Sequence, residues 1–98
     1  GPIGLCFTDL LARHGAAQII VTDVEPYRLD VACRVGATHV VFHRRLSRET
    51  AIPSFIVDEP DLSACIAAYR FRFGPPLYED EDVVVFDVRA VILPPAAP

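Results

Sequence analysis

The chain has 98 residues, room for one small domain and no more. Apolar residues make up 52% and charged residues 22%, a balance that excludes intrinsic disorder as the general state of the chain. A net charge of −4 with a pI of 5.2 argues against a nucleic-acid partner, whose binder normally carries a basic stripe. The basic residues that do cluster, His43-Arg44-Arg45 with Arg48, read as a solvated loop. No apolar run approaches the roughly 20 residues of a membrane span, and no signal peptide is visible, so no membrane partner is expected. The three cysteines, Cys6, Cys33 and Cys65, are widely spaced and odd in number. That pattern fits reduced, buried thiols of a cytoplasmic protein better than a disulfide framework or a zinc knuckle. The absence of methionine leads us to expect a piece of a longer protein.

In chain order, the first predicted element is a helix over residues 4–14, with Ile3, Cys6, Phe7, Leu10 and Leu11 at helical spacing as its inner face. Gly15 ends it. Residues 18–22 carry Ile19-Ile20-Val21, a β-branched run of the kind found in a strand buried in a parallel sheet. Pro26 suits the first turn of a second helix, whose inner face is Leu29, Ala32 and Cys33 and whose end is Gly36. Residues 38–42 form another β-branched strand. Helix, strand, helix, strand with short links predicts an α/β fold built from βαβ units, a parallel sheet with flanking helices.

Beyond Phe42 the pattern is weaker. Residues 43–54 read as a polar loop with at most a short helix, and Phe55-Ile56-Val57 as a fourth strand. A helix follows from an N-cap at Asp61 to Phe73, with Leu62, Cys65, Ile66 and Tyr69 on one face. Gly74-Pro75-Pro76 breaks it. The acidic run Glu79-Asp80-Glu81-Asp82 lacks the ligand spacing of a calcium loop and reads as a solvated turn before the strand Val83-Val84-Val85-Phe86. Val91-Ile92-Leu93 is a further candidate strand, and the tail from Pro94 is expected to be mobile. His14, His39 and His43 are scattered, and Cys65 sits on an apolar helix face, so no metal site and no catalytic constellation is predicted.

The segment richest in chemical meaning is Gly1-Pro2-Ile3-Gly4 at the start of the first helix, together with Asp23 at the end of the next strand, 19 positions after Gly4. In a dinucleotide fold, glycines at a strand-to-helix turn let the backbone approach a pyrophosphate, which meets the N–H groups and positive end of the helix. An acidic residue about 20 positions on accepts hydrogen bonds from the adenosine ribose, and it repels a 2′-phosphate. The pattern therefore favours NAD over NADP. A plain turn at Gly1 and Gly4, with Asp23 capping the helix near Pro26, is the alternative that spacing leaves open.

Gly1 to Val41 resembles the cofactor-binding stretch of zinc-type medium-chain dehydrogenases, especially the sorbitol, xylitol and arabinitol branch. The motifs carrying the resemblance are GPIG, VTD, YRLDVA and GATHVV, in that order. It implies an incomplete Rossmann-like domain in which Gly1, Pro2, Ile3 and Gly4 border the pyrophosphate, Asp23 holds the adenosine ribose and Arg28 lies beside the adenine end. On this reading residues 1–42 are the partial dinucleotide-binding segment and 43–98 a shortened, divergent continuation. The chain departs from the family in starting inside the glycine turn, so the preceding central strand is missing. It also has only a short link between Phe42 and Phe55, and it has Pro75 where a second glycine is usual.

The resemblance implies a parent enzyme, expected to be a homo-oligomer, that oxidises a secondary hydroxyl of a small polyol or alcohol with NAD. Zinc would assist, held by ligands in a catalytic domain that this sequence does not contain. The chain alone is expected to be inactive and to bind NAD weakly or not at all. A stand-alone nucleotide-binding module and a non-functional truncated remnant are the rival readings.

Overall fold

The computed structural model describes residues 2–23, 25–44 and 59–90. Among these residues three helices and four strands are delimited, in the order α1 (Pro2–Arg13), β1 (Ile20–Asp23), α2 (Pro26–Val35), β2 (His39–His43), α3 (Glu59–Phe73), β3 (Tyr78–Glu79) and β4 (Val83–Asp87). The fourth and last candidate strands, Phe55–Val57 and Val91–Leu93, and the Pro94 tail lie outside the described residues.

The elements of the first half form for the local reasons the sequence supplies. Glu25 has extended backbone and accepts the Tyr27 N–H, Pro26 occupies the first helical turn, and α2 runs from there to Gly36. Gly36 is required twice over. Its φ of 119° lies in the left-handed region, and a Cβ there would meet the Ala12 Cβ at 2.4 Å, which is how closely α1 and α2 pack at their ends.

The strands form one sheet in the order β1-β2-β4-β3. β1 and β2 are parallel, Ile20 opposite His39 and Asp23 opposite Phe42, and α2 connects them. β4 then runs antiparallel to β2, His39 opposite Asp87 and His43 opposite Val83, and β3 antiparallel to β4. The whole is a mixed α/β arrangement that fits an incomplete Rossmann-like fold, parallel in its first half and antiparallel in its second. The change of direction has a visible cause. Gly74, at φ 87°, ends α3, and β3 and β4 form a hairpin whose turn is Asp80-Glu81-Asp82. The Asp80 carboxylate accepts the N–H groups of Asp82 and Val83 at 2.7 and 2.8 Å and the Tyr78 hydroxyl at 2.7 Å. Asp80 to Asp82 thus form the turn, in which the Asp80 carboxylate satisfies the amides of Asp82 and Val83.

Strand alternation puts Val40, Phe42, Val84 and Phe86 on one face. There they meet Leu29 and Ala32 of α2 and Leu62, Ile66, Tyr69 and Phe73 of α3 in one core. Phe42 packs edge-on against Tyr69, ring centres 4.8 Å apart, and against Phe86 at 6.0 Å, contacts worth about 0.5–1.5 kcal/mol each beyond their burial.

Two expectations need correction. Helix α3 begins at Glu59, two residues before the proposed cap at Asp61. More consequentially, the apolar stripe of α1 is not its inner face. Ile3, Phe7, Leu10 and Leu11 are 75, 59, 50 and 48% exposed, and Cys6 is exposed too. The side turned inward carries Thr8, buried with its hydroxyl donating to the Gly4 carbonyl at 2.8 Å, and Leu5, which packs on the core. The reason is that α1 packs chiefly beside α2, and β1 is paired on one edge alone, so nothing among the described residues covers the stripe.

Candidate dinucleotide half-site

The N-terminal turn of α1 and the C-terminal end of β1 come together. A cavity of about 290 Å³ opens between them, with Gly4, Phe7, Thr8 and Leu11 on one wall and residues 19–23, ending at Asp23, on the other. Gly4 and Asp23 therefore border one space, as the fingerprint requires. Pro2, Ile3 and Gly4 are all exposed, and the N–H groups of a first helical turn have no partner within their own helix. Gly1 lies outside the described residues. A Cβ at Gly4 would meet nothing within 4 Å, so this structure itself places no steric demand for glycine there.

Asp23 is built into its surroundings more firmly than its motif suggests. Its side chain is 6% exposed. One carboxylate oxygen accepts the Glu25 N–H at 3.0 Å, and the other lies 3.0 Å from Arg28 Nε. Burial opposes its charge, but the Glu25 amide and the positive charges around it, Arg28 among them, outweigh that and hold the carboxyl below its ordinary range. The Arg28 Nε–H is itself buried and makes no aligned hydrogen bond, so the contact with Asp23 is an ion pair by distance alone. Arg28 thus faces Asp23, and ribose hydroxyls would compete with its guanidinium for that carboxylate. The cavity is also at the small end of ligand sites, which run from roughly 300 to 1,000 Å³, and takes part of a dinucleotide rather than all of it.

The remaining candidates have structural roles. His39 is buried, with Nδ1 at 2.8 Å from the Thr38 hydroxyl, which in turn donates to the Ile19 carbonyl and accepts the Ile19 N–H, clipping β1 to β2. His43 hydrogen-bonds with Thr22. Arg44, from the basic cluster, and Arg70 both pair with Glu79, tying β2 and α3 to the hairpin. Arg45 and Arg48 lie outside the described residues. Among the described residues no group of three or more His, Cys, Asp or Glu side chains is placed to hold a metal ion, so the side chains here do not fit a zinc site. No helix among them is long and apolar enough to cross a membrane.

One cluster was not legible beforehand. The Tyr69 hydroxyl donates to Asp30 at 2.5 Å, and the Cys33 sulfur lies 3.5 Å from it, pinning α2 to α3. Burial, with the bond to Asp30 next, pushes the phenol far above its ordinary range, and burial likewise raises the Cys33 thiol. Such a thiol is a packing group rather than a nucleophile.

Comparison with known proteins bears on the first two-fifths of the chain. It is 49% identical over 41 residues to a sorbitol dehydrogenase of Bacillus subtilis, covering 42% of this chain and 12% of that protein. An L-threonine 3-dehydrogenase of Rhizobium etli is 44% identical over the same length, again covering 42% and 12%. One of Burkholderia thailandensis is 42% identical over 50 residues, 51% of this chain and 14% of that protein. The match thus spans about one-eighth of each curated relative. No family model matches, and no solved structure matches. An α/β segment related to dehydrogenases is the class these findings define. They support the family resemblance without separating the sorbitol from the threonine branch.

Proposed function

We propose that this chain is the cofactor-side fragment of an NAD-dependent dehydrogenase whose parent oxidises a secondary hydroxyl of a small polyol or alcohol, and that alone it does not catalyse. The observation carrying the reading is the placement of Gly4 and Asp23 on one cavity, at the start of α1 and the end of β1. When bound, NAD would supply the hydride acceptor. The chain's own part would be to meet phosphate with the first-turn N–H groups of α1 and ribose with Asp23. A carboxylate there disfavours a 2′-phosphate, which supports NAD over NADP. The substrate class is drawn from the relatives, sorbitol and threonine dehydrogenases among them. Zinc belongs to the family resemblance, and the described side chains do not fit it.

The pairing of Asp23 with Arg28 favours a second reading, a remnant in which even NAD binding is lost. Calorimetric titration of the 98-residue chain with NAD and NADP, beside Asp23→Ala, separates the two. Weak saturable NAD heat, absent with NADP and in the variant, is the expected result for a working half-site. No heat with either cofactor at millimolar concentration leaves the remnant.

A further inference from the structure

A cavity of about 410 Å³ lies at the opposite end of the sheet from Asp23. Val88 on its wall donates its N–H to the Thr38 carbonyl at 2.9 Å, just before β2 begins, whereas Asp23 closes the parallel strand β1. The cavity opens where α2 and α3 finish. Asp30, Cys33 and Arg34 line it from α2, and Arg72 and Phe73 from α3. Phe73 and Val88 are buried and supply apolar wall, and the two arginines are exposed.

These two arginines differ from the rest. Arg13, Arg28, Arg44, Arg70 and Arg89 each lie against a carboxylate. Among the described residues, Arg34 and Arg72 are the arginines without one, and both line this cavity. The local cause is visible. Asp30 stands four positions before Arg34, a spacing at which the two can pair on a helix surface. Its carboxylate instead accepts the Tyr69 hydroxyl of α3 at 2.5 Å. Arg72 is held over the Phe73 ring, its central carbon 5.1 Å from the ring centre, which orients the guanidinium without using its N–H donors. A last-turn arginine suits the helix dipole, but the dipole satisfies none of those donors.

We propose that this cavity binds a small organic monocarboxylate, its carboxylate between Arg34 and Arg72 and its apolar body against Phe73 and Val88. A planar carboxylate matches the guanidinium fork, and such charge-assisted bonds are the strong ones. Two arginines with Asp30 give the wall a single net positive charge, which one carboxylate neutralises. A second negative group would meet the Asp30 carboxylate. The volume falls within the range of small-molecule sites, roughly 300–1,000 Å³.

Amide NMR titration of the 98-residue chain with benzoate tests this, beside sulfate and benzyl alcohol at matched ionic strength. Saturable shifts in the millimolar range are expected at Arg34, Arg72, Phe73 and Val88, with Gly4 and Asp23 unmoved. Benzyl alcohol keeps the ring without the charge, and sulfate is a dianion, so neither is expected to saturate. Arg34→Gln and Arg72→Gln should each raise the dissociation constant about tenfold, the loss of one charge-assisted pair, while Arg13→Gln leaves it unchanged. Both arginines are exposed, so neither change should unfold the chain. Shifts that stay linear in benzoate overturn the proposal. So do Arg34 and Arg72 variants that bind as the parent does. Sulfate binding as tightly as benzoate overturns it too, since that is general attraction of anions to arginine.

Discussion

At the scale of single residues, two positions show how far a motif carries. Asp23 was legible: a β-branched run followed by an acid, at the correct distance from a glycine turn, placed it at the strand end where it is found. Its engagement was not. The partner Arg28 is five positions on, in the next helix, and nothing in the spacing says that the guanidinium would pair with the carboxylate. Gly36 is the converse case, in which a helix-ending glycine proves to matter more than its sequence role implied. An Ala there faces both a left-handed backbone and the Ala12 methyl at 2.4 Å. Gly36→Ala should therefore lower unfolding free energy by about 2 kcal/mol, read from the urea midpoint. Combining it with Ala12→Gly should recover the steric share and leave the backbone strain. A Gly36→Ala midpoint equal to that of the parent would show that α1 does not pack on α2 in this way.

At the scale of elements, the helices and strands of the first half were readable because their signals are local: β-branched runs, a proline at a first turn, a glycine at an end. In the second half the helix ending at Phe73 and the strand from Val83 were readable as well, but the antiparallel direction was not, because it depends on how Gly74 and the Asp80 turn reverse the chain, and spacing does not encode a direction. The α1 stripe misled for a related reason. Periodicity says that a face is apolar but not which neighbour covers it. The Tyr69–Asp30–Cys33 pin gave no signal either, since its members are 36 and 39 residues apart and meet only when α2 and α3 lie side by side. It should still be measurable. Tyr69→Phe keeps the ring in the aromatic cluster and removes the hydrogen bond, and Asp30 is exposed enough to be solvated afterwards. The expected loss is about 1 kcal/mol. Because the folded-state phenol is raised above its ordinary value, its contribution is complete below about pH 10 and declines as pH rises beyond it, where the unfolded phenol ionises first. The alkaline limb of the stability curve should accordingly be shallower in the variant, and identical limbs would refute the bond.

At the scale of the whole molecule, the packing is uneven, and the unevenness predicts where the chain opens. β2 is held on both edges, by β1 and β4, and its Val40 and Phe42 are buried with Val84 and Phe86 against α2 and α3. α1 contributes little more than Thr8 and a partly buried Leu5 to the interior, and among the described residues β1 has a single neighbour. Elements with few buried contacts open sub-globally, at less than the full unfolding free energy. Amide hydrogen exchange should be slowest at Val40, Phe42, Val84 and Phe86 and much faster through the middle of α1. Exchange of α1 at the global rate in dilute solution would contradict this picture of the fold.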